Sequence, residues 1–89
     1  MVRVYIRHNV SDYDTWRGRY DAFDEERQGM GVRDHAVYRN VDEPEDLTVW
    51  HDFDSREAAE AFTGSDRLRE VMREAGVEGA PTIWFVNPA

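Results

Sequence analysis

Eighty-nine residues carry nineteen Asp and Glu against eleven Arg, with no lysine and no cysteine, for a formal net charge of −8. The missing cysteines exclude disulfides, thiolate metal sites and a cysteine nucleophile, and the acidic balance argues against nucleic acid and anionic membrane surfaces as partners, because phosphate contacts need clustered basic side chains. A chain this short is expected to form one domain, residues 1–89, that buries only about 60 to 65% of its unfolded surface, so association with a second copy is an expected further burial device.

The first element is a strand over Val2 to Val10, in which Val2, Val4, Ile6 and His8 share one face and Arg3, Tyr5, Arg7 and Asn9 the other. Ser11 or Asp12 can then cap a helix whose apolar residues Tyr13, Trp16, Tyr20 and Phe23 form one stripe. Asp12 and Asp14 lie in its first turn and Arg27 near its end, as the helix dipole favours, and Gly29 with Gly31 supplies the stop. A second strand over Arg33 to Val41 places His35, Val37, Arg39 and Val41 opposite Asp34, Ala36, Tyr38 and Asn40. The proline-containing loop Asp42 to Asp46 is short enough for a hairpin into a third strand, Leu47 to Phe53. There Leu47, Val49, His51 and Phe53 face away from Thr48, Trp50 and Asp52. Asp54 with Glu57 suggests a capping box for a helix that buries Ala59 and Phe62. Gly64 interrupts it, and Ser65 recaps a segment with Leu68, Val71, Met72 and Ala75 on one side, ended by Gly76. The closing strand, Pro81 to Asn87, sets Ile83 and Phe85 against Thr82, Trp84 and Val86, and Pro81 suits the first residue of an edge strand.

This order predicts an α+β, ferredoxin-like βαββαβ fold: a four-stranded antiparallel sheet in the order 4-1-3-2 with the helices on one face. If the helices cover the aliphatic face, Tyr5, Tyr38, Trp50 and Trp84 are left open among Arg3, Arg7 and Asn40. Such a patch is the composition of a protein interface, and a second copy of the sheet is its simplest cover, so a homodimer is expected. The reverse assignment, helices on the aromatic face, is the alternative that strand phase leaves open. No apolar run approaches the length of a membrane span, and the N-terminus enters a charged strand at once, so a cytoplasmic location is expected. An acidic, lysine-free surface fits either salt adaptation or codon usage that favours arginine, and self-repulsion at low salt follows from both.

The three histidines all phase with aliphatic residues. In this order the first and third strands are expected to be adjacent and parallel, so that His8, His35 and His51 converge at one end of a cavity under the helices. They then serve as semi-buried packing residues with partners such as Asp12 or Asp54, as a base with an orienting partner, or as a metal site. Metal is the least favoured, because ligand imidazoles must reach ~2 Å from one point while same-face neighbours on adjacent strands stand about 5 Å apart. Arg39, inward among Val37 and Val41, needs an anion or carbonyl partner unless it snorkels to the sheet edge. Trp16 and Tyr20 are core residues or a stacking surface for a flat ligand. Asp21, Asp24, Glu25 and Glu26 read as a solvated face. No phosphate loop, serine elbow or paired-carboxylate signature occurs.

The topology, the size and the run Leu47-Thr-Val-Trp-His-Asp-Phe-Asp-Ser-Arg-Glu-Ala-Ala-Glu-Ala-Phe-Thr-Gly-Ser-Asp-Arg-Leu-Arg-Glu-Val-Met72 resemble the dimeric α+β barrel superfamily, among it the antibiotic biosynthesis monooxygenases and small polyketide cyclase-like proteins. The resemblance implies a sheet-to-sheet homodimer and a small-molecule cavity in each subunit. The monooxygenase pattern has a glutamate where this chain has His51, an aromatic at Phe53, and a histidine where this chain has Phe62, so two of three positions depart. Cofactor-independent oxygenases of that group surround a polyphenol with Trp, Tyr, Asn and Arg, types that Trp16, Tyr20, Arg39 and Asn87 supply. The expected catalytic residues are His51, His8 and Arg39, with Arg39 or Tyr20 holding an oxyanion. Trp16, Tyr20, Phe23, His35, Phe53 and Phe62 are expected to bind an aromatic or polycyclic substrate, and Tyr5, Tyr38, Trp50 and Trp84 to form the dimer interface. No metal or cofactor is assigned. The competing readings are a non-catalytic ligand-binding or accessory module, and haem or metal binding through a histidine.

Overall fold

A computed structural model describes residues 1–89. Its elements are β1 (Val2–Val10), α1 (Tyr13–Ala22), α2 (Asp24–Gly29), β2 (Asp34–Arg39), β3 (Asp46–Phe53), α3 (Arg56–Thr63), α4 (Asp66–Glu74) and β4 (Val77–Val86). The sheet order is β2-β3-β1-β4, which is the expected 4-1-3-2 read from the other edge.

The strand directions require one correction. β1 and β3 are antiparallel, with Val4 opposite His51 and His8 opposite Leu47. The crossover through α1 and α2 makes β1 run with β2, and the hairpin reverses β3 against both. His8 therefore sits four residues along the ladder from the level of His51, roughly 13 Å at strand rise. His35 and His51 are direct cross-strand partners.

Alternation decided the faces correctly. Val4, Ile6, Leu47, Val49 and Phe53 are buried beneath the helices, together with Trp16, Phe23, Ala59, Phe62 and Leu68, so the reverse assignment is excluded. The opposite face is open. On it Tyr5 stacks on Trp84 at 5.3 Å, Arg3 lies 3.7 Å over the Trp50 ring, and two arginine forks cross the ladder: Arg3 to Asp52 at 2.8 and 3.0 Å, Arg7 to Asp46 at 3.1 and 2.7 Å. Tyr38 and Trp84 remain 57% and 41% exposed.

Helix ends follow local chemistry. Asp12 caps α1 by accepting from Thr15 N at 2.9 Å, and Ser65 caps α4 by accepting from Leu68 N. The cap of α3 is Ser55 rather than Asp54, accepting from Ala58 N at 3.1 Å. Asp54 instead pairs with Arg33 at 2.9 Å, which a box read from spacing alone could not foresee. The single helix expected after β1 breaks at Phe23, whose backbone sits at φ −88° and ψ −2°; Trp16, Tyr20 and Phe23 stay buried across the break. Gly76, at φ +83°, turns α4 into β4 so tightly that a Cβ there would stand 2.6 Å from Ser11 Oγ.

β4 begins at Val77, ahead of the expected Pro81. The register with β1 slips between Arg7, opposite Thr82, and Asn9, opposite Glu78. Pro81 occupies that irregular stretch of an edge strand, where its missing N–H is best tolerated. No helix is long and apolar enough to cross a membrane.

Candidate functional site

The stripe of α1 and α2 and the apolar side of α4 do not close completely on β1 and β3. Between them lies a cavity of about 40 Å³ walled by Ile6, Val49, Phe62, Leu68, Val71 and Met72 together with Trp16, Tyr20, Phe23 and Ala75. Only three of its walls are conventionally polar: His8, His51 and Arg27. All three side chains are buried, at 7%, 3% and 2% exposure. Each also carries a buried nitrogen with no protein partner, namely His8 Nδ1, His51 Nδ1 and Arg27 Nε. Buried polar atoms nearly always find a partner, so three orphans on residues that wall one cavity suit a polar ligand group or water there.

His51 is held from one side by the Tyr20 hydroxyl, 3.1 Å from its Nε2. The same hydroxyl lies 3.0 Å from His35 Nδ1, and His35 Nε2 is 3.4 Å from Asp24 Oδ1. Phe62 packs on the His51 ring at 5.1 Å. Burial, then the charge of Arg27, then His35 push the His51 imidazole down to about 3, so it is neutral at physiological pH. Burial likewise lowers His8, partly opposed by its own backbone and then by Asp46, and raises the Tyr20 phenol to about 12. Tyr20 is thus a hydrogen-bonding phenol and not a phenolate.

Arg27 is a buried cation. Its guanidinium lies 3.6 Å over the Tyr20 ring, Nη1 donates to the Tyr20 carbonyl and Nη2 donates to Asp24 Oδ1 at 3.1 Å. Nε has no protein partner, and Arg27 is one of the residues that wall the cavity.

Of the expected site residues, His51, His8, Trp16, Tyr20, Phe23 and Phe62 line this cavity. His35 stands behind Tyr20 instead of in the wall. Phe53 is fully buried against Phe62 at 5.2 Å and belongs to the core. Arg39 is a correction: it donates to the Pro44 carbonyl at 3.0 Å, approaches Glu45 at 3.8 Å and lies 3.9 Å over Tyr13. It ends an edge strand, so its long side chain reaches the hairpin and not the cavity. Asn87 lies exposed beyond β4. The three histidines do not converge, because antiparallel pairing separates His8 from the other two, and no three His, Asp or Glu groups are placed to share a metal ion. Nor are Asp12 and Asp54 their partners, since the first caps α1 and the second pairs with Arg33.

Two participants lay outside the expected set. Arg27 continues the apolar spacing 13, 16, 20, 23 by four more residues, so the stripe itself pointed to its burial. Asp24, read as part of a solvated acidic face, is 43% exposed yet touches both Arg27 and His35.

No protein-family model matches the chain, and no curated protein sequence matches it. Solved structures do. A conserved protein from Methanosarcina mazei Go1 superposes with a TM-score of 0.77 at 18% identity, over 99% of this chain and 92% of that one. A structure described as an antibiotic biosynthesis monooxygenase gives 0.76 at 11% identity, over 100% and 99%. SnoaB, a cofactor-independent oxygenase from Streptomyces nogalater, gives 0.76 at 10% identity, over 98% and 91%. The chain therefore has the fold of the antibiotic biosynthesis monooxygenase-like proteins.

Proposed function

We propose that the protein is a cofactor-independent enzyme that removes a proton from a carbon next to a carbonyl in an aromatic or polycyclic compound, leading to monooxygenation or to aldol-type ring closure. The observation that carries this reading is the trio of orphaned nitrogens on His51, His8 and Arg27, the polar residues that wall an otherwise apolar cavity. A neutral imidazole is a proton acceptor. A buried guanidinium beside it stabilises the enolate that forms, the role first expected of Arg39, and the low dielectric of the site strengthens that interaction. Trp16, stacked on Tyr20 at 4.7 Å, offers a flat ligand an aromatic wall. For an oxygenation the balance is CH2 + O2 → C=O + H2O, with the enolate supplying the electrons. The similarity in fold to a cofactor-independent oxygenase supports the same class.

At about 40 Å³ the cavity holds a few water molecules and not a fused ring. Ligand access then requires the half-buried Val71 and Met72 of α4 to swing aside, a movement that the unbranched methionine makes easily. Part of the same proposal is a homodimer closed through Tyr5, Tyr38, Trp50 and Trp84, whose rings lie on the face that the helices leave open.

The test uses anthrone, a planar tricycle with a carbonyl-activated CH2. Oxygen uptake with formation of anthraquinone, or deuterium incorporation at the CH2, is expected without added flavin or metal, and His51→Gln should remove ~100 to 10,000-fold of it. Anthrone that binds with neither oxygen uptake nor exchange, in wild type and variant alike, would make the protein a binding module.

A further inference from the structure

We infer that Tyr20, His35 and Asp24 form a proton relay that connects the buried His51 to solvent, an inference that rests on the reading of His51 as the base. The tautomers follow from the outer end inward. The Asp24 carboxylate, 3.4 Å from His35 Nε2, favours a proton on that nitrogen. His35 Nδ1 then bears a lone pair and accepts from the Tyr20 hydroxyl at 3.0 Å. Having donated its only proton, Tyr20 Oη accepts from His51 Nε2–H at 3.1 Å. That leaves the His51 lone pair on Nδ1, the ring nitrogen without a protein partner, in a residue that walls the cavity.

The relay answers a difficulty that a lone base would face. Burial and the Arg27 charge disfavour an imidazolium at His51, and burial disfavours a phenolate at Tyr20. A concerted shift forms neither. The substrate C–H proton goes to His51 Nδ1 and its electron pair stays on the substrate as an enolate. The Nε2 proton of His51 goes to Tyr20 Oη, and the Tyr20 proton goes to His35 Nδ1. The positive charge arrives on His35, a third exposed and facing Asp24, which then releases its Nε2 proton to water. One proton leaves the substrate and one enters solvent, with no redox change. Tyr20, His35 and Asp24 are positioning residues in this scheme, since none of them needs to touch the substrate.

The experiment needs no substrate. In protein labelled with 15N-histidine, long-range correlation spectra are expected to show His51 protonated at Nε2 and bare at Nδ1. Exchange of that buried N–H with water, read by saturation transfer, is expected to be at least tenfold slower in Tyr20→Phe and in the more exposed His35→Gln. A merely structural role predicts the opposite sign, because loosening the packing around His51 speeds exchange. Nδ1-protonated His51, or exchange unchanged or faster in both variants, overturns the relay. These outcomes are independent of turnover: a relay seen by exchange beside inert anthrone refutes the enzyme reading alone, and normal turnover in Tyr20→Phe refutes the relay alone.

Discussion

Arg27→Met separates a catalytic guanidinium from a structural one, because the two roles predict effects of different size on different measurements. Removing the guanidinium forfeits a stacking interaction over Tyr20 worth about 2 kcal/mol at a desolvated site. It also forfeits two hydrogen bonds, to the Tyr20 carbonyl and to Asp24, worth about 1.5 to 3 kcal/mol each when one partner is charged. Against this stands the cost of keeping a cation at 2% exposure, several kcal/mol that the variant recovers. Neither acceptor is stranded. The Tyr20 carbonyl still receives Phe23 N at 3.2 Å, and Asp24 still receives Gln28 Nε2 at 2.8 Å. Methionine fills a similar volume, so the net change should fall within about 2 kcal/mol of zero, each kcal/mol moving the melting temperature by about 4 to 8 °C. If Arg27 stabilises a developing oxyanion, turnover of anthrone should fall ~100 to 1,000-fold, about 2.7 to 4 kcal/mol in the barrier. Chemical denaturation and steady-state kinetics on the same preparation provide both numbers. Turnover within a few-fold of wild type, with stability inside the stated range, would remove Arg27 from the mechanism.

Stability should begin to fall near pH 6.5, above the carboxylate range. His51 is held at about 3 in the folded state against ~6.5 unfolded, so the unfolded chain binds the extra proton as pH drops through that window and stability is lost; His51→Gln should flatten the slope between pH 6 and 4.5, and an unchanged slope would refute the assignment. Trp50→Glu should dissociate the proposed homodimer or unfold it by placing a charge in the proposed sheet-to-sheet contact, whereas light scattering that gives a monomer for the unaltered protein at micromolar concentration would discard the interface. Melting temperature should rise with sodium chloride from tens of millimolar upward, because a net charge of −8 is self-repelling; a flat or falling midpoint would mean that pairs such as Arg67 with Glu26 and Arg56 with Glu60 outweigh the excess.

What the sequence made legible was whatever repeats with a period. Two-residue alternation assigned Val4, Ile6, Val49 and His51 to the covered face, and the 3, 4, 3 spacing assigned Trp16, Tyr20 and Phe23 to the helix stripe, because burial acts on every turn of such a pattern. Strand direction has no period. It comes from how the crossover and the hairpin combine, and an error there moved His8 from one end of the sheet to the other and invented a three-histidine cluster. Arg39 and Arg27 show the second limit. Both continue an apolar pattern, yet one ends an edge strand and bends out to Pro44, while the other is enclosed by Tyr20 and Asp24. Sequence phase sets where a Cβ points, and a side chain this long still chooses its end point by the partners that three dimensions supply. The same reasoning explains why the Tyr20 hydroxyl, expected to hold an oxyanion, instead bridges two histidines. It is the one polar atom that the packed helix face delivers between two cross-strand histidines, so the pairing of His35 with His51 gives it an acceptor on one side and a donor on the other.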